Sequence, residues 1–129
     1  MGATILIVDD HAQMRALIRR IVAQEPGLRV VGEAEDGAEA IRLTHQLRPD
    51  LILLDLSMPR VNGLEALRRI KGERPETKVI IVTVHAEDAY RRAAEANGAD
   101  AVVVKKTLMR VLVPTLRRLC GSMPPPQAS

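Results

Sequence analysis

Four short runs of Val, Ile and Leu interrupt an otherwise mixed chain: Ile5 to Val8, Leu51 to Leu54, Val79 to Val82, and Val102 to Val104. Runs of this length with no polar position suit strands buried on both faces, as in a parallel sheet covered by helices. A fifth, weaker run from Leu28 to Gly32 reads as a strand nearer a sheet edge. Between the runs, apolar residues fall at helical spacing. Met14, Leu17, Ile18 and Ile21 share one face, as do Leu64, Leu67 and Ile70, and later Leu108, Val111, Leu112, Leu116 and Leu119. Pro26-Gly27, Arg48-Pro49-Asp50, Arg74-Pro75 and Asn97-Gly98 stand where helices should stop and strands begin. Strand then helix, repeated five times, predicts an α/β domain with right-handed crossovers and helices on both faces of a parallel sheet. Pro114, inside the last helical pattern, removes a backbone donor and is expected to kink that helix.

Length and composition narrow the picture. The 129 residues accommodate one domain, since domains commonly run to about 100 to 150 residues. Trp and Phe are absent and Tyr90 is the only aromatic, so the core is aliphatic and base stacking on nucleic acid is excluded as a mode of recognition. The 19 basic and 16 acidic residues are interleaved, which reads as solvation and not as a nucleic-acid footprint. Every apolar run is far shorter than the roughly 18 residues of a membrane span. The start Met1-Gly2-Ala3 has no secretory pattern and Cys120 alone cannot form an internal disulfide, so a cytoplasmic location is expected. After Leu119 the chain turns to a Pro-rich stretch, 120–129, expected to be a linker or frayed end beside a domain spanning 3–119.

A doubly wound sheet binds its ligand beyond the carboxyl ends of its strands. The residues that follow the apolar runs there are Asp9 and Asp10, then Asp55, Thr83 and Lys105. Like charges so gathered repel, each pair by about 4 kcal/mol at ~4 Å and an effective dielectric near 20. Lys105 supplies one compensating charge, and a hard dication with oxygen ligands, best Mg²⁺, supplies more. Zinc is not expected, for want of Cys or His at ligand spacing. The set has the chemistry of phosphoryl transfer: Asp55 as nucleophile forming an acyl phosphate, Thr83 donating a hydrogen bond, and Lys105 pairing with a phosphoryl oxygen. Each part has a plainer use, the acid pair as a helix cap and the Thr or Lys as solvated or structural groups. Five such residues at equivalent strand ends favour a site. No nucleotide-binding glycine motif follows any strand. His11 and His45 read as exposed loop and helix residues, not ligands, and Met58 as packing.

The segments Ile5-Leu6-Ile7-Val8-Asp9-Asp10-His11, Leu53-Leu54-Asp55-Leu56-Ser57-Met58-Pro59, Asn62-Gly63, Val82-Thr83 and Gly98-Ala99-Asp100 resemble those of response-regulator receiver domains of two-component systems. The wording is similar to that of receivers joined to a helix-turn-helix DNA-binding output domain, which this chain does not contain. The resemblance implies a flavodoxin-like doubly wound (βα)5 sandwich with strand order 2-1-3-4-5. It implies Mg²⁺ held directly by Asp10 and Asp55, through water by Asp9, and by the Ser57 carbonyl. The Leu56 and Val84 N–H groups would face the phosphoryl oxygens. It further implies phosphorylation of Asp55 by a sensor histidine kinase or phosphotransfer protein, slow self-hydrolysis, a phosphorylation-dependent homodimer, and transcription control through the output domain. Such a protein is a switch and not a conventional enzyme. Four positions depart from or vary within the pattern. Val102 stands where many receivers carry a ring that moves with Thr83, and Lys106 where a proline often allows a cis bond. Ser57 and His85 occupy positions that tune hydrolysis. The alternatives are a receiver-fold docking or dimerisation module and, from another class, a Mg²⁺-dependent phosphatase with an Asp nucleophile. Such phosphatases commonly carry a second Asp where this chain has Ser57.

Overall fold

The computed structural model describes residues 2–56 and 63–120. Strands and helices alternate along it as β1 (Ala3–Val8), α1 (Ala12–Ala23), β2 (Leu28–Ala34), α2 (Gly37–Leu47), β3 (Leu51–Asp55), α3 (Gly63–Glu73), β4 (Lys78–Thr83), α4 (Asp88–Ala96), β5 (Ala101–Val104) and α5 (Leu108–Leu119). A 3-10 turn, Lys105–Thr107, leads from β5 into α5. The five strands form one sheet in the order β2-β1-β3-β4-β5, with every neighbouring pair parallel. This is the flavodoxin-like order that the resemblance implies.

The uninterrupted apolar runs are explained by the two layers they bury. Successive side chains of a strand point to opposite faces. Ile5, Ile7, Leu51, Leu53, Ile80 and Val82 therefore pack with Ile18 and Val22 of α1 and Leu112 and Leu116 of α5. Leu6, Val8, Ile52, Leu54, Val79 and Ile81 pack on the other side with Ala40, Leu67, Ile70 and Ala94. At about 1.5 to 3 kcal/mol for each fully buried large aliphatic side chain, these two layers are the main source of stability. β2, at the edge, is two residues longer than its apolar run and buries only its end residues Leu28 and Ala34. Its pairing with β1 skips a residue, Ile5 facing Val30 and Leu6 facing Gly32.

Helix ends follow local chemistry. Asp36 accepts the Glu39 N–H at 2.8 Å, and Glu39 reaches back to the Glu35 N–H at 2.9 Å, which together fix the start of α2. That helix closes at Arg48 in the left-handed region (φ 48°), its N–H bonded to the Thr44 carbonyl. Pro49 disfavours right-handed helix at the preceding residue, so the helix has to end there. α2 and α4 fully bury only small residues, Gly37, Ala40 and Thr44 in one and Ala94 in the other, while Ile41, Leu43 and Leu47 of α2 pack partly buried against the core. α5 continues from Leu108 to Leu119 with Pro114 inside it. Among the described residues no helix is long and apolar enough to cross a membrane.

Candidate functional site

Because all strands run the same way, their carboxyl ends share one edge. The register keeps them level, with Val8 beside Leu54, Asp55 beside Val82 and Thr83 beside Val104. Asp9 and Asp10 follow β1, Asp55 is the last residue of β3, Thr83 the last of β4, and Lys105 the first after β5. All five sequence-selected residues thus arrive together. Asp9 and Asp55 are each 1% exposed and Thr83 is fully buried.

The Lys105 ammonium sits between the two buried acids, donating to Asp9 Oδ2 at 3.1 Å and lying 3.5 Å from Asp55 Oδ2. Lys105 thus bridges two of the three carboxylates gathered at this edge. Asp9 is further pinned by the His11 N–H, which donates to its Oδ1 at 2.8 Å, and by Arg15, whose Nη1 donates to its carbonyl at 2.6 Å. Arg15 is held in turn by Glu33, through Nε at 2.9 Å, and Glu33 also pairs with Arg19. This clamp from α1 and β2 onto the turn after β1 had no signal in the sequence, where Arg15 resembles any helix-surface arginine.

The donor atoms of Asp9, Asp10, His11 and Asp55 all lie within 4.8 Å of one another. Asp10 Oδ1 is shielded from solvent and accepts no hydrogen bond among the described residues. Converging carboxylates, one of them with an unsatisfied buried oxygen, are a donor set that fits a hard dication. His11 is placed as expected with respect to exposure, and close to the acids. It is an exposed loop residue, its side chain 72% exposed, but its Nδ1 stands 3.1 Å from Asp10 Oδ1 and 3.4 Å from Asp9 Oδ1. His11 stands in extended backbone (φ −102°, ψ 115°) just before α1. The one available signal was its place directly after the acid pair. His45 is no part of the site: it lies on α2 and pairs with Glu73.

Thr83 Oγ1 accepts the His85 N–H at 3.1 Å, and the His85 ring stacks on Tyr90 with centroids 4.2 Å apart and planes 16° apart. Val84 is exposed, whereas Leu56 and Val102 are buried in the layer under α2, α3 and α4, with Tyr90 at its margin. The expectations for Ser57, and those touching Met58, Pro59 and Asn62, lie outside the described residues. Among the described residues there is no cis peptide bond, so Lys105–Lys106 is trans. Cys120 is remote from all this, at the opposite sheet edge beside Ala3, Asp50 and Leu51. Burial, and then the charge of Asp50, push its thiol pKa up.

Residues 5–117 match the family model of the response regulator receiver domain. The chain belongs to that family. Among curated relatives, this receiver is 38% identical over 102 residues to the transcriptional regulatory protein DegU of Brevibacillus brevis, covering 79% of this chain and 43% of that protein. It is 40% identical over 105 residues to the nitrate/nitrite response regulator protein NarL of Escherichia coli, covering 80% and 48%. The receiver thus spans about half the length of the curated relatives it matches. Among solved structures, it superposes with a TM-score of 0.89 and 34% identity on a LuxR-family two-component response regulator from Aurantimonas sp., covering 93% of this chain and 86% of that one.

Proposed function

We propose that this receiver, over residues 3–119, is a phosphorylation switch that accepts a phosphoryl group on Asp55. The observation that carries the reading is Asp55 itself, a carboxylate 1% exposed at the end of β3, 3.5 Å from Lys105 Nζ and beside the Asp9–Asp10 pair. Asp10 and Asp55 would hold Mg²⁺ directly, with Asp9 acting through water and the Ser57 carbonyl completing the protein ligands. The ion would supply charge neutralisation for the incoming phosphoryl oxygens.

The remaining steps belong to the chain's own groups. An Asp55 carboxylate oxygen attacks phosphorus, the P–N bond of a donor phosphohistidine breaks as the P–O bond forms, and the departing imidazole takes up a proton. Lys105, already between Asp9 and Asp55, turns to a phosphoryl oxygen. The Thr83 hydroxyl, which accepts from His85, keeps its own proton to donate to another. The N–H groups of Leu56 and Val84 meet the rest of the charge. Ser57 and His85 flank the path of attacking water and set the slow hydrolysis that resets the switch.

The donor is a sensor histidine kinase or phosphotransfer protein, and the setting we infer is cytoplasmic. The likeness to a transcriptional regulatory protein and to a LuxR-family regulator supports a role in transcription control. That control would act through a helix-turn-helix output domain and a phosphorylation-dependent homodimer. The test is incubation with a small phosphodonor and Mg²⁺ followed by intact-mass measurement. One phosphoryl group is expected on the wild type, and none on Asp55→Asn or when the metal is chelated. Equal incorporation by Asp55→Asn would overturn the assignment.

A further inference from the structure

The imidazole beside the acid pair has no task in phosphoryl transfer as described. We infer that His11 is a nitrogen ligand of the Asp9–Asp10–Asp55 pocket, so that the pocket also takes first-row transition dications with an affinity for imidazole, such as Co²⁺, Ni²⁺ or Zn²⁺. The inference rests on the preceding reading for the pocket itself and adds to it the identity of the ion that competes for it.

Two observations carry it. His11 Nδ1 and Asp10 Oδ1 stand 3.1 Å apart, and among the described residues Asp10 Oδ1 accepts no hydrogen bond. Two cis ligands of one ion with bonds of about 2.1 Å stand about 3 Å apart, which is the spacing found. Asp9 Oδ1, 3.4 Å from the same nitrogen, closes the group, and all four residues offer a donor atom within 4.8 Å of the others. The His11 backbone is tied to the same pocket, its N–H bonded to Asp9 Oδ1 at 2.8 Å. Mg²⁺ prefers oxygen and retains water, whereas imidazole nitrogen favours Co²⁺, Ni²⁺ and Zn²⁺. One nitrogen among three carboxylates is therefore a selectivity element that a purely acidic pocket lacks.

The experiment compares Co²⁺ and Mg²⁺ binding to the purified chain. Calorimetry gives affinity and stoichiometry, and the visible absorption of Co²⁺ reports nitrogen in its ligand set. Expected are one Co²⁺ per chain, displaced by Mg²⁺, and a His11→Gln variant in which the ratio of Co²⁺ to Mg²⁺ affinity falls at least about tenfold. The Co²⁺ band should also shift. Because His11 is largely exposed, the variant should fold, which its thermal melt checks. His45→Gln, remote from the pocket, should leave the ratio as in the wild type, and Asp10→Asn should weaken both ions. An unchanged ratio and band in His11→Gln, or Co²⁺ bound as tightly after Asp10→Asn, overturns the inference. Failure of the phosphorylation reading shows separately, as an absence of Mg²⁺-dependent incorporation at Asp55.

Discussion

Lys105 Nζ lies 3.1 Å from Asp9 and 3.5 Å from Asp55, and both acids are almost wholly buried. Burying charge is costly unless it is paired, and removing one partner of a buried pair leaves the other uncompensated. In metal-free solution, Lys105→Met is therefore expected to lower unfolding free energy by about 3 kcal/mol, read as a fall in the urea midpoint at constant slope. Added Mg²⁺ should restore part of the loss, since it supplies the missing positive charge. A midpoint equal to that of the wild type would mean that the two acids tolerate each other without Lys105. The residues of this site were legible in the sequence because each followed an apolar run. Asp9, Asp10, Asp55, Thr83 and Lys105 needed only the rule that ligands collect at strand ends. His11 and Arg15 were not legible, because their contribution depends on how the turn after β1 folds back and on a glutamate, Glu33, from another strand.

Strands declared themselves better than helices. A strand between two layers has no solvent face, so Leu51–Asp55 is buried at every position and reads as a solid apolar run up to its final acid. The edge strand β2 lacks a neighbour on one side and its run is correspondingly weak. α4 buries only the small residue Ala94, and the large apolar residues of α2, Ile41, Leu43 and Leu47, are only partly buried, whereas α5 buries Leu108, Leu112, Thr115 and Leu116 and was plain. The same helix carries Pro114, which has no N–H to give the Arg110 carbonyl and crowds it. Alanine there restores a donor at an exposed position, so Pro114→Ala is expected to stabilise the domain by about 2 kcal/mol, measured by denaturant unfolding. A loss of stability instead would mean that α5 depends on Pro114 in order to pack on β5.

For the molecule as a whole, the question is how an event at Asp55 reaches a surface. Val102 offers no ring, but Thr83 is bonded to the His85 N–H, His85 stacks on Tyr90, and Tyr90 borders the layer that contains Val102 and Leu56. A Thr83 hydroxyl drawn toward a phosphoryl group would disturb that stack. Tyr90 is the only aromatic residue, so the tyrosine emission of the chain reports this place alone. Phosphodonor plus Mg²⁺ is expected to change its intensity in the wild type and not in Thr83→Ala. Emission indifferent to phosphorylation would rule this route out.

The sequence by itself determined the order of strands and helices, the two-sided burial of the sheet and the identity of five residues at its carboxyl edge. All of these follow from local periodicity and from the single chain direction that a parallel sheet imposes. Only the tertiary structure decided which charges meet. The lysine at position 105 comes between acids 96 and 50 residues earlier, and His11 turns toward the acid pair it follows, because packing of the five βα units fixes distances that spacing along the chain does not contain.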